Sequence, residues 1–214
     1  MSLLADDQTR SAVRELVVSV QPHDPQEAAD QAWILAWIDS GAQLWRVEKP
    51  ATPPHHLVVY TILFDEPTRS IMIVYHLLAQ AWLFPGGHSD DLENPRSTAW
   101  RELAEELQIQ PPFHPVRGDD PIFLTVTQTR GPGTHTDVTM WFLFLADRDE
   151  AVVPDLGEFR EVRWVPLDDR ASWPEGVFDP ALERFLDKLT ILLDPEASMR
   201  GASHRGLRQP GRPG

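Results

Sequence analysis

The segment 85–109 constrains the fold more than any other part of the chain. It begins with two adjacent glycines, Gly86 and Gly87, and a polar loop follows them. Asn94 and Pro95 are then a good helix N-cap and a good first helical residue, so we predict a helix that begins here and ends before the next proline pair. The pattern therefore indicates a glycine turn that leads through a loop into a helix.

Three carboxylates share one face of this predicted helix. At about 100° per residue, Glu102, Glu105 and Glu106 fall within about 100° of one another, whereas Leu103 and Leu107 are expected on the opposite, buried side. Like charges at this spacing repel one another unless a cation lies among them. Oxygen ligands favour Mg²⁺, Mn²⁺ or Ca²⁺. The alternative interpretation is a solvated acidic face with an ordinary ion pair and an ordinary glycine turn.

The order of these residues resembles the signature of the Nudix hydrolases, G-x5-E-x7-R-E-U-x-E-E-x-G-U, in which U is aliphatic. Gln108 stands where the family has a glycine that ends the helix in the left-handed conformation. We expect either about 1 kcal/mol of local strain at Gln108 or a helix end set by the following prolines. The matching residues are Gly87, Glu93, Arg101, Glu102, Leu103, Glu105, Glu106 and Ile109.

The resemblance covers about residues 57–193 and implies the Nudix α/β/α sandwich, an α/β fold with a mixed sheet. The run 161–168 resembles the last strand of the family, and a final helix is predicted from residue 180, with leucines on one stripe. The strand candidates are 57–64, 71–78, 81–84, 121–129, 137–146 and 159–165.

The resemblance also implies which residues hold a metal ion and which residues orient its ligands. The implied cofactor is Mg²⁺ or Mn²⁺. Its implied ligands are the backbone carbonyl of Gly86 and the carboxylates of Glu102, Glu105 and Glu106. The residues implied to orient the loop and the glutamates, through hydrogen bonds and ion pairs, are Glu93 and Arg101.

The general base is left open by the resemblance. Family members take it from the signature or from a loop after it, and we rank Glu102 first and Glu158 second. Glu158 precedes the last predicted strand, where it resembles an additional acidic metal ligand. For Glu158 and Glu161, a solvated carboxylate at the strand edge is an equally good interpretation.

The implied reaction is the hydrolysis of a diphosphate bond in a nucleoside diphosphate linked to another moiety. Candidate substrates are modified nucleoside triphosphates, nucleotide sugars and ADP-ribose. The Leu-Leu-Thr-x-Arg element of coenzyme A pyrophosphatases is missing from 75–84, and the NADH pyrophosphatase motif is missing after the signature. One alternative is a Nudix-fold sensor or regulatory module that binds a nucleotide without turnover, although the complete carboxylate set argues against it. Another is an interaction protein with an accidental signature.

Candidate substrate contacts lie in two loops. His88 follows the glycines directly and is a candidate for a phosphate contact, with a plain loop role as the alternative. The turn 130–135 joins two predicted strands, and loops on a rigid scaffold commonly carry specificity. Arg130, His135 and Asp137 are the candidates there.

Two helices are expected in an N-terminal extension, residues 1–45. The second helix begins with Asp24, Pro25 and Glu27, which are an N-cap, a first-turn proline and a capping-box glutamate, and it should stop at Gly41. We predict that its apolar face packs on the main domain or, in a possible homodimer, on a second copy. This face carries Trp33, Ile34, Trp37 and Ile38.

Composition and charge limit the class of protein. The 214 residues suit one main domain with extensions, here the Nudix domain at 46–194. The net charge of −14 argues against a nucleic-acid partner, and the lack of cysteine excludes disulfides and metal sites with thiolate ligands. No run of about 18 apolar residues suggests a membrane span, and Asp6 and Asp7 do not suit a secretory signal. We therefore expect a cytoplasmic enzyme with a small-molecule, nucleotide-type substrate.

The last twenty residues differ in composition from the rest. Residues 195–214 contain four arginines against one glutamate, together with four glycines and three prolines. Such a segment buries few apolar groups, so we predict a disordered basic tail without a role of its own. Contact with RNA or with an acidic partner is the alternative.

Overall fold

A mixed sheet of seven strands lies at the centre of the computed structural model, which describes residues 3–49, 52–129 and 133–194. Among the residues described, no helix is both long and apolar enough to cross a lipid bilayer. The helices are α1 (Leu3–Ser19), α2 (Pro25–Asp39), α3 (Pro95–Glu106) and α4 (Leu182–Leu193), with a 3₁₀ turn at Arg170–Ser172. The strands are β1 (His55–Asp65), β2 (Ser70–His76), β3 (Ala81–Leu83), β4 (Gly86–His88), β5 (Phe123–Gln128), β6 (Thr136–Leu145) and β7 (Phe159–Pro166).

Strand β1 organises the sheet. It pairs in parallel with β6 from His55↔Thr136 to Phe64↔Leu145, and β5 pairs antiparallel with the far side of β6. On the other side of β1, β4 pairs with its first half and β2 with its end. Strand β2 in turn pairs with both β3 and β7. The predicted mixed sheet is confirmed, although the short strand β4 was not predicted.

Alternate residues of β1 contribute to two cores on opposite faces of the sheet. Leu57, Val59 and Leu63 belong to the core that includes residues of α1, α2 and α3. Ile62 and Phe64 belong to the core that includes residues of α4. Helices therefore cover both faces, as the predicted α/β/α sandwich requires.

Helices α1 and α2 share their core with α3, but the apolar face predicted for α2 is only partly correct. Ile34 and Ile38 are fully buried. Trp33 is 38% exposed and Trp37 is half-buried, and their rings stack with centroids 5.8 Å apart. The two pairs are rotated from each other by about 100° on the helix, so only the isoleucine row points straight into the core.

The N-cap and the first-turn proline of α2 form as the sequence predicts, whereas the carboxylate of Glu27 accepts the N–H of His23, the residue before the cap. The carboxylate of Asp24 accepts the Glu27 N–H at 2.7 Å, and Pro25 occupies the first turn. Arg184 of α4 donates two hydrogen bonds to the same carboxylate, at 2.7 and 2.9 Å. These bonds from Arg184 lower the pKa of Asp24 to about 2. The cap of α2 is therefore also an attachment to α4. The predicted tail at 195–214 lies outside the described residues.

Candidate active site

The glycine pair brings the backbone of β4 directly against α3. Gly86 has a φ of +140°, and a Cβ at this position would lie 2.0 Å from the carbonyl oxygen of Val59. A Cβ at Gly87 would lie 2.5 Å from Oε1 of Glu102. The backbone of β1 therefore excludes a side chain at Gly86, whereas a side chain at Gly87 would displace the carboxylate of Glu102, which lies close to the strand backbone.

Helix α3 begins at the predicted place but buries more than its leucine side. Asn94 caps it by accepting the Arg96 N–H at 3.0 Å. The side chains of Glu102 and Glu106 are buried along with that of Leu103, whereas 61% of the Glu105 side chain is exposed. The expected separation into a buried leucine face and an open carboxylate face is thus wrong for two of the three glutamates. The reason is that β4, which was not predicted, covers the row that carries them.

Glu106 is a strongly perturbed carboxylate in this region. Its Oε2 accepts the Gly86 N–H at 2.8 Å, and the carboxyl group of Glu158 lies within hydrogen-bonding reach of it. Burial, followed by the charge of Glu102, raises the pKa of Glu106 to about 9. Burial also raises the pKa of Glu102 to about 7, against the opposing effect of Arg101. The negative charges of Glu102 and Glu158 therefore disfavour ionisation of Glu106, and that of Glu158 also disfavours ionisation of Glu102.

The backbone groups of β4 alternate between β1 and α3. The backbone groups of Pro85, Gly87 and Ser89 face β1 and pair with it. The N–H of Gly86 instead reaches Glu106, and the carbonyl of His88 accepts a hydrogen bond from Arg101 at 3.0 Å. By this alternation the carbonyl of Gly86 points to the α3 side, where the predicted ligand carbonyl belongs.

Arg101 connects three of the four glutamates of the signature. Its Nε and Nη2 donate to the two oxygens of Glu93 at 3.0 and 2.9 Å, while Nη1 contacts Glu102 at 2.9 Å and Glu105 at 3.1 Å. Burial alone would raise the pKa of Glu93, but the hydrogen bonds, led by those from Arg101, bring it below its usual value. The guanidinium thus holds carboxylates on the loop and on the helix in one arrangement.

The donor set fits a hard divalent cation. The carboxylates of Glu102, Glu106 and Glu158 lie close together beside β4, and Mg²⁺ and Mn²⁺ prefer such oxygen ligands. Arg101 forms an ion pair with Glu102, but the pKa values of Glu102 and Glu106 are still raised, because the nearby positive charge does not offset their burial. Glu161, by contrast, forms an ion pair with Arg163 on β7.

His88 and His135 come together on the other face of β4. Their Nε2 atoms lie 3.4 Å apart, and His56 and Asp137 complete a cluster with them. Burial lowers the pKa of His56 to about 4 and also lowers the pKa of His88. His56 was not among the predicted site residues, because only the parallel pairing of β1 with β6 places it opposite Asp137. Arg130 lies outside the described residues.

Arg46 is a further residue that the sequence did not single out. It is half-buried after α2, and burial lowers its pKa. The negatively charged groups that act on its guanidinium are Asp137, Asp90 and Glu102. A positive charge therefore lies beside the acidic site, and its isolated position before β1 offers no motif by which to recognise it.

The model of the NUDIX domain matches residues 54–189. The chain belongs to the Nudix family. Over 79 residues it is 39% identical to the human protein named nucleoside diphosphate-linked moiety X motif 6, a match that covers 34% of this chain and 25% of the relative. Over 138 residues it is 32% identical to the CMP-5'-(N-acetyl-N-hydroxy-3-aminopropyl)phosphonate hydrolase of Streptomyces rubellomurinus, covering 59% and 62% of the two chains. The matches thus span less than two thirds of either relative.

Solved structures share the fold at low sequence identity. The NUDIX domain of Shewanella oneidensis NrtR, in complex with ADP ribose, aligns with a TM-score of 0.50 and 21% identity, over 71% of this chain and 89% of that one. An Ap4A hydrolase of C. elegans, in a binary complex, aligns with a TM-score of 0.50 and 16% identity, over 65% and 98%. The resemblance read from the signature and the predicted sandwich are both confirmed.

Proposed function

We propose that this Nudix protein is a hydrolase that uses Mg²⁺ or Mn²⁺ to cleave a diphosphate bond in a nucleoside diphosphate linked to another moiety. The observation that carries the proposal is the pair of buried carboxylates, Glu102 and Glu106, beside the backbone of Gly86, with the exposed residue Glu158 next to Glu106. The domain match, together with a hydrolase among the relatives, supports an enzyme of the pyrophosphohydrolase type.

The residues that would hold the cation are those with oxygen atoms on the α3 side of β4. When bound, such a cation supplies charge neutralisation at phosphoryl oxygens and a water of lowered pKa. The proposed ligands are the Gly86 carbonyl and the carboxylates of Glu102, Glu105, Glu106 and Glu158. Glu105 is exposed and paired with Arg101, so its contact with the cation requires it to leave that ion pair.

The other signature residues keep these carboxylates in place. Arg101 holds Glu102 and Glu105 from one side, and Glu93 fixes the guanidinium from the other. Glu93 also accepts the Asp90 N–H at 3.0 Å and the Thr98 hydroxyl at 2.8 Å, which ties the loop to the first turn of α3. We assign Glu93 and Arg101 as positioning residues on these contacts.

Glu102 remains our first choice for the general base. Its carboxylate lies against the backbone at Gly87, where the lack of a side chain allows this close approach. A base must lie within hydrogen-bonding reach of the attacking water, and Glu102 lies close to Glu106, another proposed ligand of the cation. Glu158 is the second choice, because its carboxyl group reaches Glu106 from the start of β7.

Phosphate groups of the substrate need positive charge as well as a cation. Arg46 supplies a positive charge beside the site, because its guanidinium interacts electrostatically with Glu102 and Asp90. The predicted substrate contacts of His88, His135 and Arg130 stay predictions. A cytoplasmic location and a homodimer also stay predictions from the sequence.

The alternative is a sensor module that binds a nucleotide without cleaving it. Its two motivations were the N-terminal extension and the unmatched Gln108. Gln108 adopts the left-handed conformation, with a φ of +57°, that the family glycine would adopt. The end of α3 is therefore preserved in spite of the substitution, and the carboxylates keep their places, which favours the enzyme.

A substrate panel distinguishes the two functions. Full-length protein freed of metal with EDTA would be given ADP-ribose, nucleotide sugars and nucleoside triphosphates, with and without Mg²⁺ or Mn²⁺. We expect release of a nucleoside monophosphate, phosphate or pyrophosphate from at least one compound, and only with metal. Calorimetry on the same compounds would detect binding, and saturable binding without any turnover would favour the sensor.

A further inference from the structure

We propose that His56, His88, His135 and Asp137 form a second metal site, separate from the glutamates and suited to Zn²⁺. No Nudix signature residue belongs to this group. It goes beyond the proposed function, because it concerns different ligands, a different cation and the opposite face of β4.

The topology of the sheet assembles the four side chains. His56 lies opposite Asp137 in the parallel pairing of β1 with β6, and His88 lies opposite Val58 in the antiparallel pairing of β1 with β4. His135 comes from the residue just before β6. Three strands and one turn thus converge on one point.

The distances match a tetrahedral site. Each residue offers one ligand atom, and all four atoms lie within 4.8 Å of one another. Nε2 of His135 lies 3.1 Å from Oδ1 of Asp137 and 3.4 Å from Nε2 of His88. Oδ1 of Asp137 lies 3.7 Å from His88 and 3.9 Å from His56. Ligands about 2.0–2.1 Å from a tetrahedral Zn²⁺ are about 3.3 Å apart. Small side-chain movements would therefore bring the four ligand atoms to the spacing that Zn²⁺ requires.

Two of the imidazoles are already oriented for metal binding. Nδ1 of His56 lies 2.8 Å from the carbonyl oxygen of Pro53, and Nδ1 of His135 lies 2.8 Å from that of Gly133. A carbonyl only accepts, so Nδ1 carries the hydrogen in both rings and the neutral Nε2 presents its lone pair to the cluster. A backbone carbonyl that fixes the tautomer in this way is typical of histidine ligands of metals.

The cluster also contains polar atoms that lack partners. Nε2 of His56 and Oδ1 of Asp137 are buried and accept no hydrogen bond within the described ranges, and the His56 side chain is fully buried. If Nε2 of His135 carried a proton, it could donate a hydrogen bond to Oδ1 of Asp137. Nε2 of His56 would still have no donor among the residues described. A cation at the centre satisfies both atoms at once.

Ligand chemistry selects the metal and separates this site from the first. Imidazole nitrogens suit Zn²⁺ and neighbouring transition metals, whereas Mg²⁺ prefers oxygen. Position 87 faces Glu102 and α3, and His88, the next residue, points to the other face of the strand. The positive charge of Arg46 interacts with both His88 and Asp137 and disfavours a cation between them. The negative charge of the Asp137 carboxylate is therefore needed for the site to bind a metal ion.

Four protein ligands leave no open position, which is the arrangement of structural zinc sites. Bound Zn²⁺ would connect the start of β6 to β1 and β4. We therefore expect Zn²⁺ to stabilise the fold rather than to take part in hydrolysis.

The test uses full-length protein freed of metal, titrated with Zn²⁺ in competition with a chromophoric chelator. We expect one tight site per chain, and Co²⁺ at the same site should show the intense visible absorption of tetrahedral coordination. His88→Asn and His135→Asn, whose side chains are 22% and 13% exposed, should each weaken Zn²⁺ binding by at least about 100-fold. Zn²⁺ should raise the thermal midpoint of the wild type but not of these variants.

Two controls locate the ion. His76→Asn removes a half-buried histidine outside the cluster, and Glu106→Gln alters the other site. Both variants should keep the wild-type affinity for Zn²⁺. Affinity that survives in His135→Asn but falls in Glu106→Gln would place the ion at the glutamates and overturn the proposal. Wild-type binding no tighter than that of His88→Asn would also overturn it, whether or not the protein hydrolyses nucleotides.

Discussion

The ammonium group of Lys188 lies 2.6 Å from Oε1 of Glu27, and both side chains are buried. The same oxygen of Glu27 accepts the Leu124 N–H at 3.2 Å, and its second oxygen accepts the His23 N–H at 2.6 Å. One carboxylate therefore joins the start of α2 to β5 and to α4. The N-terminal helices are attached to the sheet through this charge as well as through their apolar core.

Glu27→Gln should destabilise the protein by about 3–5 kcal/mol, because it leaves the Lys188 charge buried without its partner. Burial already lowers the pKa of Lys188. Urea unfolding followed by tryptophan fluorescence would measure the loss. Adding Lys188→Met to Glu27→Gln should recover most of it, since the unpaired charge is then gone.

Glu183→Gln is the matched control for this experiment. Glu183 forms an ion pair with Arg170 at the surface, where such a pair contributes at most about 1 kcal/mol. A loss from Glu27→Gln as small as that from Glu183→Gln would contradict the structural role of the buried pair.

The sequence predicted Glu27 as a capping residue but not as the partner of Lys188. A capping box depends on a spacing of three residues, which is visible in any sequence. The ion pair depends on where α4 passes α2, and 161 positions separate the two residues. Local signals thus predicted where the helices begin, whereas contacts between distant elements required the tertiary fold.

The candidate site also combines local features that the sequence predicted with long-range contacts that it did not. The signature predicted that Glu93 and Arg101 orient the loop and the glutamates, and the structure pairs the two residues with each other. The burial of Glu102 and Glu106 was not predictable, since it results from β4, whose glycines have little preference for a strand. His56 was found only through the register of β1 and β6.

Glu106→Gln should lower kcat by several orders of magnitude on the best substrate of the panel. An amide keeps an oxygen to accept the Gly86 N–H, so the fold should persist while the ligand charge is lost. Steady-state kinetics with saturating Mg²⁺ would measure the change, and circular dichroism would check the fold. Glu150→Gln, on an exposed turn, is the control and should leave kcat unaltered. A Glu106→Gln enzyme close to the wild-type rate would remove Glu106 from the proposed site.

The stability of the metal-free protein should fall as the pH rises from about 5 to above 9. Burial raises the pKa of Glu102 to about 7 and that of Glu106 to about 9, from unfolded values near 4.3. The folded state therefore binds these two protons more firmly than the unfolded state. Their contribution is fully present below about pH 4.3 and is lost as the pH rises through 7 and then 9.

Urea midpoints in EDTA across this pH range would measure the effect. The double variant Glu102→Gln, Glu106→Gln should have a flatter pH dependence than the wild type, because both titrating groups are gone. Addition of Mg²⁺ should flatten the wild-type curve as well, since the cation favours the ionised carboxylates. Equal slopes for wild type and double variant in EDTA would contradict the burial of these carboxylates.

Deletion of residues 195–214 should leave the melting temperature and activity nearly unchanged. The segment has few apolar side chains to bury, and α4 ends before it. Deletion of residues 182–214 is the comparison, because it also removes Phe185 and Leu189 from the core. A drop of several degrees in the shorter deletion would show that the tail contributes to the fold, and loss of RNA binding would favour an interaction role for it.

Gln108→Gly should stabilise the protein by about 1 kcal/mol without changing turnover. Gln108 has a φ of +57°, and on either side of it the N–H groups of Leu107 and Ile109 both donate to the Leu103 carbonyl, at 3.1 and 3.3 Å. The left-handed helix end therefore forms although a side chain strains it, and glycine relieves that strain. The melting temperature should rise by about 2–4 °C. Gln110→Gly is the matched control, because Gln110 has no positive φ, and the added flexibility of its unfolded chain should cost a little stability. If the two glycine variants shift the melting temperature in the same direction, the strain at Gln108 is not what limits stability at the end of α3.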